Sequence, residues 1–543
     1  MTPPANETRT RVWLGRSARA ASGLAVLGLT VAVVAAGARL PGGDDDSVAP
    51  TRVAVPPAGT TLVCPGPLIM PADTGRGDSA FDPTPVDPVS TVDAVTVDPT
   101  GVGTILPLDR STVWASLATD GDAVALPSVA GASIVRAEPT DAPARVAAVA
   151  AGLVTAGDLR GLAAASCQQP VADAWLLGGA TDLASTAQLV LDNPGTTPAE
   201  IALEVWGPNG PVDLTGERYL VAPGAERVVV LGGIAAEQRR IAVHVTATGG
   251  RVGVHVQDSV LDGFTPGGTD LVVPGTAPAR RQVVPGISVV ASTVDDPAAP
   301  SLRLVAPGDA STSATVTLLG PTGVVDLPGA DTVALTAGAV TDVPLGGLPA
   351  GAYTAVVDAD QPVLASAVVS RPGSVGELDD VASVERAWAA SAPVGRSGVV
   401  AVPKGTRGTL VVAGVSSADD PEGGGAATGT LRLIGAGGTV LAERPVSVPA
   451  GSTGSWSLDA LAAGTGPIEP TDPTAAVPAA SPPAGVVGVD LVTTDGRTVS
   501  LAWALVAEVD RPDGVLVSVL DPVPVPRTTQ DVAVREDARL GTR

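Results

Sequence analysis

The sequence predicts an all-β fold: about four tandem immunoglobulin-like β-sandwiches, strung after one N-terminal transmembrane helix. Three observations lead there. Hydrophobic residues are 45% of the 543 but aromatics only 2%, so the apolar content is mostly Ala, Val and Leu; valine favours strands. The 65 Gly and 51 Pro cut the apolar runs into short pieces bounded by turn signals such as NPG, GPNG, APG and TGG. The pieces also repeat: QLVLDNPGTTPAEIALEVWGPNGPVDL (188–214) matches LRLVAPGDASTSATVTLLGPTGVVDL (302–327), and LGGI at Leu231 matches LGGL at Leu345. A period of roughly 110 residues suits a seven-stranded sandwich and is too long for one propeller blade, the rival all-β architecture.

From the N-terminus, residues 1–19 form a cytoplasmic tail carrying Arg9, Arg11, Arg16 and Arg19. Residues 20–38 hold no charge and are expected to form the membrane helix, since about 1.5 Å per residue spans roughly a bilayer core. Positive residues before it and Asp44, Asp45 and Asp46 after it place the bulk of the chain outside the membrane. The rival is a cleaved signal peptide, with Ala36, Gly37 and Ala38 before the cut and a secreted product. Residues 39–58 are a linker. Sandwiches are expected at 59–170, 171–275, 276–385 and 386–543, the last with a low-complexity loop insertion at 467–484. TLVCPG, AWLLGG, QVVPG and VVAVPKG open the four copies.

Cys64 and Cys167 are the only cysteines, and both fall in the exported part. An oxidising compartment favours a disulfide between them. Its loop of about 100 residues is worth about 4–5 kcal/mol in the chain-entropy treatment.

His244 and His255 are the only histidines. If Gly249 and Gly250 turn a hairpin, the two histidines face each other on the outer side, and Val243, Val245, Val252, Val254 and Val256 form the core side. A cross-strand histidine pair is a metal candidate, but zinc wants at least three protein ligands and no third is evident. A solvated polar pair is the expectation, with no metal and no cofactor.

The formal charge of −24 disfavours nucleic-acid partners. No GxSxG or phosphate-loop pattern occurs, and the Asp-rich turns at 119–123 and 419–425 lack EF-hand spacing. Trp206 and Trp503 lie in apolar strands and read as core rather than sugar platforms. No catalytic residue is assigned and no enzyme is expected. The expected partners are the membrane and envelope proteins or glycans.

The run AWLLGGATDLASTAQLVLDNPGTTPAEIALEVWGPNGPVDL, then LVAPGAERVVVLGGIA, with GDLRGLAAASCQQP upstream, resembles the actinobacterial envelope family known as domain of unknown function 5719. That resemblance implies an anchored, extracytoplasmic protein and supplies no activity. It also implies a place beside a membrane glycosyltransferase. Sequence thus leads to a non-catalytic envelope scaffold or interaction module, with a glycan-binding accessory to that enzyme as the alternative.

Overall fold

The structure is a computed structural model that describes residues 25–35, 51–55, 57–70, 86–98, 100–119, 121–327, 332–375, 381–421, 423–464, 468, 485–494, 496, 498–525 and 530–534. Two compact units result, one from residues 1–56 with 529–543 and one from 57–528.

In the smaller unit residues 25–35 are helical and exposed, inside the expected 20–38 span. Among the described residues no helix is long and apolar enough to cross a membrane. The tail 1–19 and the Asp44–Asp46 run lie outside the described residues, as does the insertion 467–484 apart from Ile468. Strand Thr51–Val55 pairs antiparallel with Gln530–Val534. Residues 51–55 of the expected linker are therefore a strand, and Gln530–Val534 pairs with that strand rather than with a sheet of module 4. The alternating sequences TRVAV and QDVAV suit strands, and each supplies the other's edge.

The larger unit is all-β, with every ladder antiparallel. Strands group into four modules over 60–166, 173–272, 279–390 and 398–524, each of two facing sheets. Numbering strand positions within a module, one sheet runs 1-6-3-4 and the other 5-2-7-8, and all four modules share this order. In module 1 the sheets are Thr60–Cys64, Ser133–Ala137, Gly103–Pro107, Ala115–Leu117 and Asp122–Leu126, Val89–Val97, Arg145–Val154, Gly161–Ser166. Positions six and seven lie in opposite sheets, while positions seven and eight close each module as a hairpin within one sheet. In module 3 one unbroken strand, Gly351–Val375, serves both positions.

The repeated sequence signals mark the same joints. Gly207 pairs with Gly210, and Gly320 with Gly323, closing tight hairpins between positions three and four. Gly210 and Gly323 sit at φ +118° and +124°, where only glycine is unstrained.

The modules do not form a linear string. The eighth strands meet: Thr265–Val272 packs on Ala382–Ala390, that on Gly514–Leu520, that on Gly161–Ser166, and Gly161–Ser166 returns to Thr265–Val272. Cores fuse across junctions, so Val149 and Ala148 of module 1 belong to one cluster with Val399 and Leu491 of module 4. Junctions carry charge pairs as well: Arg371 Nη2 lies 2.8 Å from Glu508 Oε1 between modules 3 and 4, and Arg145 bonds buried Asp490 between 1 and 4. A string was expected because sequence repeats report neighbours along the chain and say nothing of the return contact between first and last.

Candidate binding cavity

Where the eighth strands converge, side chains finish what backbone ladders cannot. The eighth strands of modules 1, 2 and 3 are edges of their sheets, and that of module 4 meets another strand only through the Gly373–Gly514 pair, so backbone N–H and C=O groups remain to be satisfied. Asp270 Oδ2 accepts the Trp388 N–H at 2.7 Å, and Asp270 Oδ1 lies 3.0 Å from Ser518 Oγ. Ser518 Oγ in turn bonds the Ala164 carbonyl at 2.9 Å and the Ala164 N–H at 3.3 Å. Glu385 Oε1 accepts the Leu162 N–H at 2.9 Å, and Glu385 Oε2 lies 3.7 Å from Arg160 Nη1. Burial pushes both Asp270 and Glu385 well above the ordinary carboxyl range. A protonated Asp270 satisfies the chain of bonds: its O–H donates to Ser518 Oγ, freeing the serine hydrogen for the Ala164 carbonyl.

All four eighth strands run out at a proline: Pro170, Pro274, Pro393 and Pro522. The segments there enclose a cavity of about 370 Å³, lined by 166–169, 274–277, 391–393 and 521–524 together with Asp173 and Trp175. The Cys64–Cys167 disulfide, expected from sequence, forms and ties the first of these walls to the opening strand of module 1. Gln168 adds a two-way backbone bridge to Val63. The second and third walls are stitched together: Thr276 Oγ1 and Ser391 Oγ are 2.8 Å apart, and Thr276 also bonds Gln282. The fourth wall presents Asp521, whose Oδ1 is enclosed with no hydrogen-bond partner. Burial pushes its carboxyl up to about 7.

Trp175 connects the cavity to His244. The two rings stack with centroids 3.9 Å apart and planes 9° off parallel, and Trp206 lies 5.1 Å from Trp175. Glu204 Oε2 bonds His244 Nδ1 at 2.8 Å and Asp173 Oδ2 bonds His244 Nε2 at 3.0 Å. Register explains the row: Trp175 and Glu204 both pair with His244 across the sheet.

The histidine pairing expected from sequence is overturned. Strand Ala242–Thr248 and strand Gly253–Asp262 are not a hairpin; the chain crosses at Gly249 and Gly250 to the opposite sheet. His255 lies across from Val190 on the outer face of its sheet, opposite to Val254 and Val256, but that face is covered by module 1 and the histidine is buried rather than solvated. Burial pushes its imidazole down to about 4. Among the described residues no group of three or more metal-ligating side chains occurs. The valines expected in the core are there: Val243, Val245, Val252, Val254 and Val256 are all buried between the two sheets. Trp503 and Trp206 are buried too, Trp206 against Val305 and Leu364 of module 3. Asp521 and Asp173 were not singled out from sequence; the repeated strand-end proline was the available signal.

The family of unknown function DUF5719 matches residues 123–459, from the fifth strand of module 1 into module 4. The chain belongs to that family. No curated protein matches the DUF5719 chain. Among solved structures, a "Biofilm associated protein - BSP domain" aligns with 86% of this chain and 96% of its own at 9% identity, with a TM-score of 0.12.

Proposed function

We propose that this DUF5719 protein is a non-catalytic scaffold or interaction module, anchored by its N-terminal apolar segment and facing out of the cytoplasm. The observation that carries the reading is the closed circuit of modules whose strand ends form one cavity, with walls pinned by a disulfide and hydrogen bonds. Such a frame holds a binding surface rigidly. The buried carboxyls Asp270 and Glu385, the side chains nearest in kind to acid–base groups, are occupied in holding strand edges. The disulfide favours an oxidising compartment. Immunoglobulin-like ancestry of the modules, actinobacterial origin and anchoring by residues 20–38 belong to the same proposal. In-cell crosslinking of the full chain, followed by capture from membranes, should retain a defined envelope partner. Recovery of the chain in the cytosolic fraction with reduced cysteines would overturn the reading.

The second reading, a glycan-binding accessory to an envelope glycosyltransferase, is favoured by one feature: Trp175, braced by His244, on the cavity wall beside Asp173.

A further inference from the structure

We propose that the cavity at the strand ends binds an uncharged sugar of one or two rings, stacked on Trp175 and the wall prolines and hydrogen-bonded by Asp521 and Asp173. This rests on, and sharpens, the glycan-binding reading.

Size comes first. A cavity of about 370 Å³ is at the lower end of the range for small-molecule sites, roughly 300–1,000 Å³. It suits a mono- or disaccharide end rather than a polymer threaded through.

Charge comes second. Two carboxyls line the cavity, and none of the described lining residues is Lys, Arg or His. An anionic ligand would face like charge with no compensating cation in a partly desolvated site. Phosphorylated sugars and uronic acids are therefore disfavoured.

The Asp521 carboxyl on the cavity wall decides between the remaining classes. A carboxyl pushed up to about 7 is present in both protonation states near neutral pH. An ammonium group satisfies only the ionised state, because it can donate but not accept. A hydroxyl donates to the carboxylate or accepts from the carboxylic acid, so it satisfies both. Oδ1 is sealed in the wall, so a ligand in the cavity meets this carboxyl through its other oxygen.

The walls supply the other half of the recognition. Trp175, Pro274, Pro393 and Pro522 offer apolar surfaces of low side-chain entropy, matched to the C–H face of a sugar ring. Trp175 is held from behind by His244, itself fixed by carboxylates on both ring nitrogens. The platform is thus formed before the ligand arrives.

The test uses the purified full chain in detergent, with ligand binding read by saturation-transfer NMR and tryptophan fluorescence. Glucose, galactose, arabinose and lactose are the neutral probes; glucuronic acid, glucosamine and spermidine are the charged ones. The neutral set should bind at up to about 10 mM, and the Asp521→Leu variant should weaken it at least about tenfold. Asp521→Asn keeps a donor and an acceptor, so it should bind within about threefold of the parent and serves as the folding control. Trp175→Ala should lose the fluorescence response. The proposal is overturned if only charged probes bind, if Asp521→Leu binds the neutral probes as the parent does, or if no neutral probe binds to the folded chain. Failure here with an envelope partner still crosslinked sinks the sugar site and leaves the scaffold standing; sugar binding without any partner does the reverse.

Discussion

Half-buried Asp521 and buried His255 titrate in opposite senses, and each yields a signed expectation. Asp521 is pushed up to about 7 from an ordinary 3.8. Its stabilising effect is fully present below 3.8 and is lost as pH rises through 7. His255 is pushed down to about 4 from 6.5. Its stabilising effect is present above 6.5 and is lost as pH falls through 4. Removing each proton site should therefore change the pH profile of thermal unfolding in a different direction. Relative to the parent, Asp521→Asn should gain about 2 kcal/mol between pH 4.5 and 8, discounted for partial exposure. Relative to the parent, His255→Leu should gain as pH falls from 7 to 4.5. Profiles that stay parallel to the parent in both variants would show that neither group is buried as described. At this scale the sequence was legible for apolar residues and cysteines and misleading for histidines. Alternation identified the valines of 243–256 as core, since any burial of one strand face requires it. It could not say whether two adjacent strands share one sheet or face each other across two, because both arrangements bury the same residues.

Among the elements, the eighth strands bear the assembly. Open strand edges invite pairing with other chains, and natural proteins cover or interrupt them. Here the four strands cover one another, and Asp270, Glu385 and Ser518 cap the backbone groups left over. The protonated assignment for Asp270 has a sharp consequence. Asparagine reproduces it: the amide oxygen accepts from the Trp388 N–H, and the amide N–H donates to Ser518 Oγ. Asp270→Asn should cost under about 1 kcal/mol in urea unfolding, while Asp270→Ala should cost about 3 kcal/mol by orphaning buried groups. Equal large losses in the two variants would mean that the carboxyl is ionised and the bonding pattern wrong. Strand identity was largely readable, since turn signals such as GPNG at 207 and GPTG at 320 fell on real hairpins. Strand order was not. The order 1-6-3-4 and 5-2-7-8 depends on which edges remain to be filled, a property of the assembled sheets rather than of any segment.

For the larger unit as a whole, closure of the circuit separates this architecture from a row of beads. In a linear repeat array each unit touches only its neighbours, and stability is close to a sum of local terms. Here module 1 contacts module 4 through Arg145 and Asp490 and through the Ala164–Ser518 bonds, while Glu385 of module 3 reaches across to Leu162 of module 1. Removing one module thus strips surface and hydrogen bonds from all the others at once. The unit 57–528 should unfold in one calorimetric transition with its disulfide intact, the van't Hoff and calorimetric enthalpies agreeing. Ending the chain after Pro393 should do far more than delete a transition: Ser518 and Asp490 vanish, the edge of Gly161–Ser166 is uncovered, and the cavity loses its fourth wall. The shortened chain should aggregate or melt well below the parent, by more than ten degrees on the scale of about 2–4 °C per kcal/mol for domains of moderate size. If it instead kept folded modules melting at the parent temperature, the modules would be independent, and the return contact between first and last would carry no stability.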